Sequence, residues 1–156
     1  MLFSGINPGL YSAAVQHHFA RPGNRFWPAL HAGGFTPRVF SPFEERELLK
    51  LGLGITNIVD FASATAESLT RADYLAGAIT LAATVKRYRP GFLAILGMGA
   101  YRAAFGDPHA RVGPQERTIG STRLWVLPNP SGLNAHYQPR DLAREFARLR
   151  REVDRA

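Results

Sequence analysis

Cysteine is absent from the 156 residues, which excludes disulfides, thiolate zinc sites and iron–sulfur clusters and fits a reducing cytoplasm. Long apolar runs are missing too. None approaches the roughly 18 to 20 residues a membrane helix needs, so the chain reads as soluble, with no membrane partner. No charged leader with an apolar core and a cleavage site precedes the first apolar run, so no export address is expected and the location expected is cytoplasmic. Lysine is scarce, with Lys50 and Lys86 the only two, and acids are a minority: twelve Asp and Glu against nineteen Lys and Arg, or +7 at pH 7. Such a balance favours phosphate polyanions, because each contact to a phosphate releases counterions; an Arg-rich coding bias produces the same numbers.

What is present is a series of short apolar runs at 1–4, 53–59, 92–96 and 124–127, each closed by Gly, Pro, Asn or Asp. These are the marks of buried parallel strands. Helical stretches lie between them. Ser41, Pro42 and Glu44 form a capping box with Leu48 and Leu49 as its apolar face and Gly52 as its stop; Leu75, Ile79, Ala82 and Val85 recur at helical spacing until Pro90; Leu142, Phe146, Leu149 and Val153 mark a final amphipathic helix. Alternating strand and helix predicts a three-layer α/β/α sandwich with a central, mainly parallel four-stranded sheet, one domain over 1–156. The stretch 106–120 carries no clear pattern. In such sheets ligands bind at the carboxyl ends of the strands, where Asn7, Asn57, Asp60, Gly97 and Asn129 fall.

Two strand ends carry an Asn-Pro corner. Asn7-Pro8-Gly9 follows the first run, with Pro8 pushing Asn7 toward extended backbone and Gly9 free to take a left-handed step or to let a ligand approach closely. Pro128-Asn129-Pro130-Ser131-Gly132-Leu133 follows the last run. The two corners suggest one shared site. Asp60 is the only acid placed at such an end: a candidate general base, or a turn cap or Arg partner. Leu133, between Gly132 and Asn134, has no obvious core to serve, and an apolar side chain so placed can wedge into a base step. In the stretch 17–27, Phe19 lies among polar loop residues and suits stacking on a base, whereas Phe26 and Trp27 suit the core at a helix start.

Other chemistries fit less well. Gly97-Met98-Gly99 resembles a dinucleotide loop, but position 102 is Arg where the fingerprint needs glycine, and a tight strand-to-helix turn explains the glycines equally. The five histidines lack metal-ligand spacing, so no metal is expected. No G-x-S-x-G elbow surrounds Ser131, which reads as a turn hydroxyl.

Taken together, GINPGL at 5–10, HHFARPGNRFW at 17–27, GITNIVD at 54–60, LAILG at 93–97 and WVLPNPSGLN at 125–134 resemble the mismatch-specific uracil- and thymine-DNA glycosylase family of the uracil-DNA glycosylase superfamily. The resemblance runs from Met1 to about Arg150. It implies a cofactor-free, monomeric enzyme that flips and excises uracil, and related bases such as ethenocytosine or thymine, from G mismatches in double-stranded DNA. By the same likeness Asn7 positions the water; Asp60, from its strand-end position alone, is the second catalytic candidate. Ile6, Gly9, His18, Phe19, Asn24, Asn57 and Asn129 form or support the base pocket. Ser131, Gly132, Leu133 and Asn134 form the loop that enters the duplex. Two departures accompany the likeness: Ala135 stands where the family often has a basic residue, and the chain opens directly on the first strand, where the family usually has a short preceding segment.

Overall fold

In the computed structural model, which describes residues 1–156, the four apolar runs form strands β1 (Leu2–Gly5), β2 (Gly54–Asn57), β3 (Phe92–Leu96) and β5 (Thr122–Leu127). With β4 (Gly113–Ile119) added, the sheet order is β2-β1-β3-β5-β4, and the first four strands are parallel. β3 is buried throughout because helices cover both of its faces, which is why its sequence is apolar without alternation. Phe92, Ala94 and Leu96 point to one face, with Phe3, Trp125 and Leu127; Leu93 and Ile95 point to the other, with Leu124 and Val126.

The first face is closed by helix α2 (Phe26–Ala32), the 3₁₀ segment Pro42–Leu51 and the final helix α5 (Pro139–Arg155). Phe26 and Trp27 lie buried there, and Phe146 lies within stacking range of Phe3. The second face is closed by α3 (Arg71–Tyr88) and α4 (Met98–Phe105). A short α1 (Leu10–Val15) follows β1. These three layers are the expected α/β/α sandwich.

The sheet has five strands, not four. β4 (Gly113–Ile119) lies in the unpatterned stretch and runs antiparallel to β5 at the sheet edge. Only its two ends are buried, a bulge interrupts it between Pro114 and Thr118, and Pro114 removes a donor, so neither an apolar run nor an alternation marks it. Two helix faces also differ from expectation. In α3 the buried stripe is Gly77, Leu81 and Val85, while Ile79 is 74% exposed and Leu75 is also exposed. α3 docks through its glycine: a Cβ at position 77 would stand 2.4 Å from the Ile58 carbonyl oxygen, so the closest backbone contact, not the largest side chains, sets the buried face. In the 3₁₀ segment the Ser41–Glu44 capping box forms and Gly52 ends it, but only Leu48 is buried and Leu49 faces solvent, because the tighter winding moves neighbours off an α-helical stripe.

Candidate active site

The register brings the carboxyl ends of the parallel strands to one edge. Gly5 stands opposite Asn57, Ser4 opposite Ile95, and Leu96 opposite Leu127. Only β3 separates β1 from β5, so the two Asn-Pro corners emerge about 10 Å apart, two interstrand spacings. The order also reverses here: from β1 the chain builds outward to β2 on one side and to β3 on the other, the switch point at which such sheets bind ligands.

Asn7 is half-buried at this edge, and its amide has a fixed direction. Nδ2 donates to the Phe61 carbonyl (3.1 Å) and to Ser63 Oγ (2.7 Å), and Ser63 Oγ donates onward to the Thr65 carbonyl (2.7 Å). A carbonyl can only accept, so the group facing Phe61 must be the NH2. Both amide protons are thereby engaged, and Oδ1 is left without a protein donor as a fixed acceptor. The corner itself is pinned by Ser63 N–H donating to the Pro8 carbonyl (3.2 Å).

The Gly5 position floors a gap between two other groups. A Cβ there would stand 2.5 Å from Asn57 Oδ1 and 3.0 and 3.2 Å from the Phe19 ring. One extra carbon would therefore fill the space between an amide and an aromatic edge. Phe19 holds φ +52°, an uncommon backbone for a residue with a side chain, and its ring lies over Phe26 at 4.2 Å and 25°. Its loop is tied down by Ala20 N–H to Ser12 Oγ, His18 N–H to Glu45 Oε2, and Trp27 Nε1–H to the His18 carbonyl. Burial lowers the His18 proton affinity from its ordinary value, against a raising influence of Glu45 and with a further lowering one from His17. Burial thus disfavours the charged form of the ring.

The loop after β5 is stiffened by its own polar side chains. Asn129 Oδ1 accepts from Ser131 N–H, Ser131 Oγ from Leu133 N–H, and Asn134 Oδ1 from His136 N–H, while Asn134 Nδ2 donates back to the Asn129 carbonyl. Leu133 protrudes from this framework with 76% of its surface exposed. The loop also abuts the stretch carrying Phe19: Arg25 N–H donates to the Pro130 carbonyl (2.9 Å), and a Cβ at Gly132 would stand 2.7 Å from the Gly23 carbonyl oxygen. The first corner, the Phe19 stretch and the second corner are therefore contiguous.

The remaining residues are placed as follows. The Ile6 side chain packs toward Gly97, 3.4 Å from where a Cβ would stand, leaving its backbone at the edge. Gly9 has φ −70° and ψ 167°, so of the two options open to it the left-handed step is not taken, while open space at its Cβ position leaves room for close approach. Asn24 Oδ1 accepts from Phe26 N–H at the start of α2, which fixes the amide and leaves its NH2 without a protein partner. Asp60 is exposed and forms no hydrogen bond or ion pair, so it neither caps the turn nor pairs with an Arg. Gly97 to Gly99 is the turn from β3 into α4, with Arg102 donating to the Ala110 carbonyl.

Ser63 carried no sequence signal, and Arg25, though inside the 17–27 stretch, showed no role there: their partners lie 56 and more than 100 residues away, and no spacing rule reaches that far. Two clefts lie elsewhere, one of about 690 Å³ at the outer β4 edge around Arg111 and Arg117, the other of about 540 Å³ around Glu44 and Glu47. Neither brings together groups with the complementarity of Asn7, Asn57 and Phe19. No three His, Asp or Glu side chains converge as metal ligands, and no helix is long and apolar enough to cross a membrane.

An α/β sheet with amide groups and an aromatic ring gathered at its switch point, beside an exposed apolar loop and on a basic chain, is the framework of an enzyme that handles a planar polar ligand joined to a polyanion. Residues 1–152 match the family model of the Uracil DNA glycosylase superfamily, and the chain belongs to that family. It is accordingly a DNA glycosylase, a hydrolase of the glycosidic bond that acts on uracil in DNA.

Proposed function

We propose that the chain is a monofunctional, mismatch-specific uracil-DNA glycosylase that acts as a single-domain monomer in the cytoplasm and begins base excision repair at uracil, ethenocytosine or thymine opposite guanine in double-stranded DNA. The observation that carries this reading is the pairing of a fixed Asn7 acceptor with an exposed Leu133 on a stiff loop, joined through the Phe19 stretch. In the reaction, water adds to C1′ of the deoxyribose as the bond from C1′ to the base breaks. The electron pair leaves with the base, and the water's proton passes to Asp60 or to solvent. Asn7 Oδ1 accepts from the water and aims it. An amide has no basic form near neutral pH, so it orients without deprotonating, and the enzyme is slow.

The anionic leaving base is stabilised by donors that strengthen as charge develops: the Nδ2–H of Asn57 and the backbone N–H groups of the Asn7 to Leu10 turn, Pro8 having none. Phe19, covered on one face by Phe26, stacks the extruded ring on its other face, with His18 and Asn24 on the pocket wall. Asn129 holds the second loop. Leu133 fills the vacated stack, flanked by Ser131 and by Gly132 and Asn134, whose backbone faces the unpaired guanine. Asp60 is assigned the stabilisation of positive charge on the sugar or receipt of the proton. A second, strand-cleaving activity would need an amine near the sugar, but Lys50 pairs with Glu47 and Lys86 lies in the last turn of α3.

Extrusion costs a few kcal/mol for a paired base and less for a mispaired one, so a pocket with loose demands still selects mismatches. The test is single-turnover release of base from labelled G·U and A·U duplexes, followed by alkaline scission. Release from G·U at least roughly tenfold faster than from A·U is expected. Equal rates would reject mismatch selectivity, and duplex binding without release would make the chain a mismatch-binding module.

A further inference from the structure

We propose that Arg25 is the positioning residue for the Leu133 loop, so that one guanidinium controls how the wedge meets duplex DNA. The proposal rests on the functional reading above and adds a residue that the reading does not use. Arg25 Nη1 donates to the Tyr137 carbonyl (2.6 Å), and Nη2 donates to the carbonyls of Ser131 (2.5 Å) and Asn134 (3.1 Å). These acceptors lie on both sides of Leu133. A single planar fork therefore fixes the two limbs of the loop from beneath, and its backbone N–H holds Pro130 as well. The segment from Pro128 to Gln138 has one backbone hydrogen bond of its own, Asn134 N–H to the Ser131 carbonyl. Most of its carbonyls therefore need other donors, and the Arg25 guanidinium reaches three of them.

Position matters as much as bonding. Arg25 is the residue before α2, six residues after Phe19, and Gly23 packs against Gly132. The fork thus lies at the junction between the stacking stretch and the wedge, and a force on Leu133 from the DNA reaches Phe19 through it. Lysine at this position keeps the charge but presents a compact point donor on a flexible stem, which cannot hold three divergent carbonyls in one geometry.

The test compares wild type, Arg25→Lys, Leu133→Ala and the double variant for base release from a G·U duplex under single turnover, with thermal melting of each. If Arg25 acts through Leu133, Arg25→Lys slows release by tenfold or more, and the double variant is no slower than the slower single variant. Multiplying losses in the double variant, or a wild-type rate for Arg25→Lys, would overturn the proposal. Should Arg25→Lys melt far below wild type, Arg25→Gln, which retains a planar amide, is substituted and judged by the same cycle. Failure of the wild type to release uracil would instead count against the functional reading, so the two failures are distinct.

Discussion

Truncation of Leu133 to alanine separates a wedge from an ordinary loop residue. The side chain is 76% exposed, so its removal costs the free protein almost nothing, within about 0.5 kcal/mol as for other surface changes. Inside a base step the same side chain is desolvated. Leu→Ala removes three carbons at about 0.8 kcal/mol each, roughly 2.4 kcal/mol for complete burial. Scaled to the three quarters of the surface still available to be buried, the loss is about 1.8 kcal/mol, or roughly 20-fold. The assay is binding to a G·U duplex carrying an uncleavable uracil nucleotide, with single-turnover release measured in parallel and urea unfolding of the free protein as control. A 20-fold loss on duplex with unchanged unfolding is expected. Unchanged affinity and rate would refute the wedge, and a stability loss equal to the affinity loss would show that Leu133 serves the fold instead.

Further outcomes follow from the same geometry. Asn7→Ala removes the oriented acceptor and should lower single-turnover release by at least roughly 100-fold while duplex affinity survives, whereas Ser63→Ala releases one amide proton of Asn7 and should cost about tenfold in rate with affinity unchanged. Gly5→Ala places a carbon 2.5 Å from Asn57 Oδ1 and 3.0 Å from the Phe19 ring, so base release should nearly vanish while binding to an abasic duplex persists. Asp60→Asn should slow release if the carboxylate serves the sugar, and an unchanged single-turnover rate removes it from the mechanism. Because burial lowers the His18 proton affinity, the folded state resists a proton that the unfolded chain accepts near its ordinary pKa of 6.5. His18 therefore contributes stability that is complete above that pH and declines as pH falls below it; His18→Gln should flatten urea stability between pH 7.5 and 5.5, and an unchanged slope would refute the attribution.

The strands that build the site were legible because burial on both faces writes itself into composition: β3 and β5 are apolar from end to end, and each stops at a turn residue. The edge strand β4 was not, since a strand with solvent on one side, a bulge and a proline has no reason to carry that pattern. The buried face of α3 is hidden from the apolar spacing for a related reason. Apolar spacing picks out large side chains, but the helix docks where its backbone can come closest, at Gly77 against Ile58, and that turns Ile79 outward.

The site divides in the same way. Residues held by local turn chemistry, Asn7 before its proline and Asn129 before its own, sit where strand ends must put them. Their partners are a different matter. The direction of the Asn7 amide depends on Phe61 and Ser63, brought near by the parallel pairing of β1 with β2, and the stance of Leu133 depends on Arg25, brought near by the docking of α2 against α5, the helix that follows the loop. Glycine at position 5 is intelligible only once Asn57 and Phe19 converge on it from opposite sides. Local sequence thus places the groups proposed to meet the substrate, while tertiary packing sets their orientation. An amide whose orientation is not enforced presents NH2 or oxygen to the water with little preference, so the orienting contacts, which no motif announces, decide whether the motif is catalytic.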